Sequence, residues 1–220
     1  MRGSNVVKTP RTKEQIFANT REMLSMAETG VMDATGRDPR RRRAGLMNLF
    51  TYGRSVTLAI QTMKHVDPEF ENWWKPYQAA MASDSLMKYF NSARTNVIHE
   101  GQLSAHTVTV IGAHGPVDIG SLIQELNKHA PPNTIRTFFG ENRTGGDGWE
   151  VQMPDGSVQK VYFDLPATFD VKSELQLPDP PTEHDGQLIA DTSITNLGAL
   201  YLSTLRRIVG EFETRFGANL

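Results

Sequence analysis

The residues of this chain that are best suited to chemistry lie in the run from Asp84 to Gly101. Apolar residues recur there at steps of three and four, which predicts a helix, and Gly101 is a usual place for a helix to end. The apolar positions are Leu86, Met87, Phe90, Ala93 and Val97. Arg94 and His99 lie about 140° apart around such a helix, because each residue turns it by about 100°.

The same run forms a polar ridge on an otherwise apolar helix. Thr95, Asn96 and His99 share one side of the helix, and Arg94 flanks them. A polar ridge of this kind needs a partner, which can be a neighbouring helix, a second subunit or a phosphate group. A purely structural role is also open, with Arg94 in an ion pair and His99 at the negative end of the helix dipole.

The spacing of Arg94 and His99 at the end of a helix, after an aromatic-rich helix, resembles the signature of the HEPN superfamily. In that signature, four to six residues separate an arginine from a histidine. The resemblance covers roughly residues 10–101 and not the middle of the chain. It implies an antiparallel helical bundle that dimerises so that two copies of the motif face each other. Many HEPN proteins are metal-independent ribonucleases of toxin–antitoxin, abortive-infection and other defence systems.

The resemblance also implies roles for individual residues. Arg94 would hold the scissile phosphate, and His99 would transfer a proton. Thr95 occupies the position where the family often has asparagine, and Asn96 follows one position later, so both are candidate catalytic residues. The implied activity is a metal-independent endoribonuclease without a cofactor, whose products end in 2′,3′-cyclic phosphates. The implied partners are RNA, a second copy of the chain, and an antitoxin or regulatory protein.

Two other functions stay open at this point. The same bundle can serve as a non-catalytic dimeric interaction or regulatory module, with Arg94 and His99 at its interface. The threonine at position 95 and the lack of a strong positive net charge favour this alternative. A more remote possibility is a small-molecule sensor whose ligand lies between the bundle and an inserted sheet.

Composition limits the classes of function. The 220 residues carry a formal net charge of −2, and 38% of them are hydrophobic and 22% charged, as in an ordinary globular protein. RNA binding must therefore depend on a local basic patch. The absence of cysteine excludes disulfides, thiolate nucleophiles and thiolate metal sites. The sequence shows neither an apolar run long enough to span a membrane nor a signal-peptide core, so we expect a cytoplasmic protein.

Arginines form one dense basic cluster, at the predicted start of the second helix. Its members are Arg37, Arg40, Arg41, Arg42 and Arg43. Their charges oppose the helix dipole, each by roughly a few tenths of a kcal/mol, which suggests a role in phosphate contacts. We predict that Arg40 to Arg43, together with Arg54 on the same helix, bind substrate. The alternative is a solvated surface balanced by acidic residues near Glu69 and Glu71.

Three helical segments are predicted within residues 1–102. The first ends near Gly30, the second runs from Asp38 to about His65, and the third runs from Asp67 to Gly101. Pro76 is expected to kink or divide the third segment. Gly53, in the middle of the second helix, predicts the close approach of another helix. Short connections between long helices favour an antiparallel bundle.

The character of the chain changes after Gly101. The predicted elements are strands at 106–111 and 135–139, a helix at 121–129, and a hairpin of 149–153 with 157–163. We expect residues 103–190 to form a small α+β insertion with an antiparallel sheet, in which 170–190 are a surface tether. Residues 191–220 contain a helix too apolar to stand alone, which is expected to return to the bundle. The predicted fold class is mainly α, a HEPN-like antiparallel helical bundle with this insertion before the C-terminal helix.

Overall fold

The computed structural model describes residues 11–101, 103, 105–111, 118–141, 146–165 and 171–217. Its helices are α1 (Lys13–Thr35), α2 (Pro39–Gln61), α3 (Phe70–Ser83), α4 (Ser85–Glu100), α5 (Ile119–Asn127) and α6 (Ile194–Phe216). Its strands are β1 (His106–Ile111), β2 (Thr134–Phe138), β3 (Asp147–Gln152), β4 (Val158–Phe163), β5 (Val171–Gln176), β6 (Glu183–His184) and β7 (Gln187–Leu188). The mainly α fold class, with small antiparallel sheets before the last helix, is confirmed. Among the described residues, no helix has both the length and the apolar character needed to cross a membrane.

The chain divides into two compact units. The helical unit is drawn from Met1–Val31, Met47–Gln102 and Pro181–Leu220. The sheet unit is drawn from Met32–Leu46 and Leu103–Pro180. Arg54, Arg94 and His99 therefore belong to the helical unit, whereas the arginine cluster of residues 37–43 belongs to the sheet unit.

Several helix boundaries differ from the predicted ones, and two of these differences have a clear cause. The long segment after Asp67 breaks at Asp84 and not at Pro76, which lies inside α3. Asp84 has an extended backbone, and its carboxylate accepts a hydrogen bond from the Met87 N–H at 2.9 Å, which starts a new helix. At the other boundary, α1 continues past Gly30 to Thr35 because its apolar side continues, with Ala34 buried.

The apolar side of α6 forms much of the core of the helical unit. Its fully buried residues include Leu197, Leu205 and Phe212. The Phe212 ring lies 4.8 Å from that of Phe17 in α1, measured between centroids, and the Tyr201 ring stacks on Phe90 in α4 at 4.1 Å. Two ion pairs, Arg21–Glu213 and Arg206–Glu28, also join α6 to α1.

The sheet unit is built on β3, which pairs with β2 on one side and with β4 on the other, both antiparallel. Helix α5 packs Leu122 and Leu126 against Trp149 and Val151 of β3 to form a small core. The predicted hairpin is present as β3 and β4, and Gly156 in its turn has a φ of 84°. A left-handed φ of this kind favours glycine.

Part of the predicted surface tether is a strand. Residues 171–176 form β5, which pairs antiparallel with β1, so that Thr107 lies opposite Leu175. Ser173, Leu175 and Leu177 are all buried, which is the alternation expected of a strand with one covered face. The prolines that follow this segment favoured a tether in the sequence, but they begin only at Pro178, beyond the strand.

Candidate functional site

Helix α4 carries the residues predicted from the Arg–His motif. Gly101 ends the helix in the left-handed conformation, with a φ of 64°, as the sequence predicts. Arg94 is half-buried in the last turns, whereas Thr95 and His99 are exposed. Because the helix turns about 140° between Arg94 and His99, one copy of α4 does not present both side chains on one face.

Two polar residues that follow Arg94 make hydrogen bonds within α4 or at its end. The Thr95 hydroxyl donates a hydrogen bond to the Asn91 carbonyl oxygen at 3.0 Å. Asn96 is half-buried, and the backbone N–H of Gly101 donates to its carbonyl oxygen. The Thr95 hydroxyl is therefore used within α4, whereas the exposed side chain of His99 can meet an external partner.

The charge of Arg94 acts on Arg54 of α2, the other arginine that the sequence singles out. Burial lowers the pKa of the Arg54 guanidinium, and the positive charge of Arg94 contributes to the same decrease. Arg54 Nη1 donates a hydrogen bond to the hydroxyl of Thr57. Arg94 Nε is buried and has no hydrogen-bond partner among the described residues. The helical unit thus holds two partly buried arginines and, among the described residues, one of them has an unpaired donor.

Arg54 also lines a cavity of about 230 Å³ that we call the arginine pocket. Helices α2, α3, α4 and α6 all contribute to its walls. Its polar lining residues are Arg54, Thr57, Gln61, Gln78, Lys88 and Asn91. Within the described part of the chain, no acidic side chain lines this pocket, so its charge is positive.

The less polar wall of the arginine pocket contains one further unused donor. Trp74 lines the pocket and is only 5% exposed, and its Nε1 has no hydrogen-bond partner among the described residues. A buried N–H group without a partner costs about 1–3 kcal/mol, so such groups are rare in folded proteins. The guanidinium of Arg54 suits a ligand that supplies hydrogen-bond acceptors.

The arginine cluster of the sheet unit is largely bonded within the unit. Arg40 forms two hydrogen bonds with Asp38, at 2.9 and 3.1 Å, and Arg41 lies 2.8 Å from Asp33. Arg42 donates to the carbonyl oxygens of Gly36 and Ser173. Arg43 is half-buried beside them, and Arg37 is exposed.

Arg37 and Arg40 also line an open groove along β4 of about 500 Å³, together with Lys160. The acids that balance the cluster are Asp33 and Asp38, whereas the sequence suggested Glu69 and Glu71. Arg40, Arg41, Arg42 and Arg43 therefore stay a predicted RNA contact, separate from the arginine pocket.

A hydrogen-bonded chain of polar residues was not foreseen in the sequence. Asp84 Oδ2 lies 3.0 Å from His184 Nδ1, and His184 Nε2 lies 3.0 Å from the Thr204 hydroxyl. Asp84, His184 and Asp185 each offer a possible metal ligand within 4.8 Å of the others. Asp84 also caps α4, so this cluster joins α4, the β6–β7 hairpin and α6. Asp84 and His184 are 100 positions apart, and no spacing in the sequence relates them.

Comparison with known proteins gives one finding on the region of the site. Residues 33–114 are similar to a family described as bacteriophage lambda protein ea47. This stretch is less than half of the chain and contains α2, α3 and α4, with Arg54, Arg94 and His99. Searches of curated proteins and of solved structures gave no match.

Proposed function

We propose that this chain is a metal-independent endoribonuclease of HEPN type. The observation that carries the proposal is that Arg94 and Arg54 are both partly buried in the helical unit, and that the Nε of Arg94 has no hydrogen-bond partner among the described residues. The positive charge of Arg94 disfavours the charged form of Arg54, and a bound oxyanion would offset that cost. Guanidinium groups bind phosphate well because their planar N–H donors match its oxygens.

The chemistry follows from the residue types. His99 of one protomer accepts the proton of the RNA 2′-hydroxyl while the 2′-oxygen attacks phosphorus. The bond from phosphorus to the 5′-oxygen breaks, and His99 of the second protomer, in its protonated form, donates a proton to that oxygen. Arg94 stabilises the added negative charge on the phosphate in the transition state. The products are a 2′,3′-cyclic phosphate and a 5′-hydroxyl.

The angle between Arg94 and His99 supports a site shared by two copies of the chain. A single α4 directs the two side chains to different sides, and His99 is exposed. Two α4 helices that face each other can bring Arg94 of one copy to the phosphate that His99 of the other copy serves. We therefore include a homodimer in the proposal. Similarity to a phage protein family in this region is consistent with a role in phage defence or a toxin system.

The test is RNA cleavage by the purified protein in the presence of a chelator. His99→Ala and Arg94→Ala should each lower the cleavage rate by about 10²–10⁴. His65→Ala and Arg215→Ala are matched controls, because both residues are exposed in the same unit and lie outside the motif. Both controls should cut RNA at the wild-type rate. Sedimentation at micromolar concentration should show a dimer.

A non-catalytic dimeric or regulatory module is the second candidate. The observation that favours it is the Thr95 hydroxyl, which bonds back to its own helix and is not directed to a substrate. In that case wild-type protein cuts no RNA with or without metal. Substitution of Arg94 or His99 then weakens the dimer and leaves no catalytic effect to measure.

A further inference from the structure

We propose that the arginine pocket binds a compact phosphate monoester that carries hydroxyl groups, such as a sugar phosphate or a single nucleotide. The site lies within one copy of the chain and takes a free small molecule. It uses Arg54, which the ribonuclease proposal also invokes, but it depends neither on RNA cleavage nor on a dimer.

The positive charge of the pocket favours a phosphate group over a carboxylate. Arg54 and Lys88 line it, and no acidic residue of the described chain lines it. A carboxylate carries one negative charge, whereas a phosphate monoester carries about −1.5 to −2 at pH 7. Burial and the charge of Arg94 both disfavour the charged form of Arg54, so a doubly charged ligand gives the larger stabilisation.

Trp74 adds a buried N–H group, without a partner in the described part of the chain, to the residues that line the pocket. Trp74 is a pocket-lining residue and is nearly fully buried, yet its Nε1 lacks a partner among the described residues. A phosphate oxygen that enters beside the ring would give this donor a partner. Gln78 and Asn91, on the exposed side of the same pocket, offer amide groups that donate to and accept from hydroxyls.

The size of the pocket limits the ligand. Its volume of about 230 Å³ lies below the roughly 300–1,000 Å³ typical of sites for drug-sized molecules. A phosphate group with one sugar is of suitable size, whereas an oligonucleotide would extend well beyond the walls. The inference is therefore a single phosphorylated unit.

The experiment is titration calorimetry of the full chain without RNA. The ligands are inorganic phosphate, ribose 5-phosphate and AMP, with ribose as the uncharged control. The phosphate esters should bind and ribose should not. Tighter binding of AMP than of ribose 5-phosphate would identify a nucleotide, and the reverse order would identify a sugar phosphate.

Variants distinguish binding in the pocket from non-specific electrostatic attraction to the protein surface. Arg54→Gln and Lys88→Gln should each weaken binding by about tenfold or more, because each removes a charge-assisted contact. Lys75→Gln, on the same unit but outside the pocket, should bind as wild type does. Lys88 is exposed, so its variant should fold even if Arg54→Gln does not.

A second pair of variants tests the contribution of the Trp74 N–H to binding. Trp74→Phe keeps an apolar ring and removes the N–H, and it should weaken binding. Trp149→Phe removes an equally buried, unpaired N–H from the core of the sheet unit, and binding should not change. Circular dichroism melts of all variants report whether each is folded.

The inference is overturned if no phosphate ester binds, or if Arg54→Gln and Lys88→Gln both bind like the wild type. RNA cleavage measured on the same preparations keeps the two proposals apart. Binding of a phosphate ester without RNA cleavage would support the pocket and contradict the ribonuclease proposal. RNA cleavage without binding of a phosphate ester would support the ribonuclease proposal and contradict the pocket.

Discussion

The ring of Tyr201 in α6 fills the space in which a side chain at Gly53 of α2 would lie. A β-carbon at residue 53 would stand 2.4 Å from Tyr201 Cε1 and 2.9 Å from its hydroxyl oxygen. Tyr201 is itself stacked on Phe90, with ring planes 13° apart, so it has little freedom to move away. The close helix approach that Gly53 predicts is confirmed, and it places Tyr201 in the wall of the arginine pocket.

Gly53→Ala should destabilise the protein by about 1–3 kcal/mol, the usual cost of forcing extra atoms into a packed core. The new methyl group must displace the Tyr201 ring, and with it Phe90. The free energy of unfolding, measured by urea denaturation with circular dichroism, checks the value. Gly210→Ala is the matched control, because a β-carbon there meets nothing within 4 Å. It should stabilise α6 by up to about 1 kcal/mol through helix propensity, and a similar result at both sites would contradict the close packing at Gly53.

Because of Asp84, the stability of the helical unit should decrease at acidic pH. Burial opposes its ionisation, but hydrogen bonds from the N–H groups of Asp185 and Met87 and from His184 outweigh this and hold the pKa of Asp84 below its usual value. A lowered folded-state pKa means that the contribution is present above the ordinary carboxyl pKa of about 3.9 and is lost as pH falls through the folded-state value.

Asp84→Asn separates the two roles of this residue. Asparagine caps helices about as well as aspartate does, so the cap of α4 should persist. The charge-dependent contact with His184 is lost, and stability at neutral pH should fall. Urea denaturation from pH 3 to pH 7 should show a shallower loss of stability in acid for the variant than for the wild type. An unchanged pH profile would show that Asp84 acts only as a cap.

Asp147 in the sheet unit should show the opposite dependence on pH. Burial raises its pKa, although it accepts hydrogen bonds from the Ser173 hydroxyl and the Gly140 N–H. With a raised folded-state pKa, its contribution to stability is complete below the unfolded value and is lost as pH rises through the folded value. Asp147→Asn keeps an acceptor oxygen and removes the buried charge, so the sheet unit should gain stability at neutral pH.

The control for Asp147 is Asp155, in the exposed turn of the β3–β4 hairpin. Hydrogen bonds from the Ser157 hydroxyl and N–H lower the pKa of Asp155. Asp155→Asn should therefore leave stability at neutral pH unchanged or slightly lower. Amide hydrogen exchange in β3 and β4, compared between pH 5 and pH 8, distinguishes the two variants. Equal effects at both positions would contradict the buried charge at Asp147.

The sequence predicted the elements that depend on nearby residues. The limits of β1 and the end of α4 at Gly101 follow from β-branched alternation, helical period and a left-handed glycine. The start of α2 follows from the Asp38 cap, whose carboxylate accepts from the Arg40 N–H. Each of these signals acts within a few residues, so one sequence is enough to read them.

Features that depend on distant residues could not be read in this way. β5 needs β1 as its partner, and the two strands are about sixty residues apart. The break at Asp84 is reinforced by His184, and Pro76 carried the stronger local signal for a break. Arg54 was singled out, but the pocket that it lines and the unpaired Trp74 N–H arise only when α2, α3, α4 and α6 pack together. The sequence could therefore predict residues of the candidate site, but not the pocket that they form.

The helical unit should not fold without α6. Truncation after Pro181 removes the buried side chains of Leu197, Leu205 and Phe212, and burial of each contributes about 1.5–3 kcal/mol. Whole domains are stable by only about 5–15 kcal/mol, so the loss of one helix with this many buried residues exceeds the margin. The truncated chain should lose its near-ultraviolet circular dichroism and bind a hydrophobic dye.

Addition of a peptide of residues 190–217 should restore the spectrum by covering the exposed face. A truncated chain that unfolds cooperatively on its own would show that α1 to α4 form a complete core.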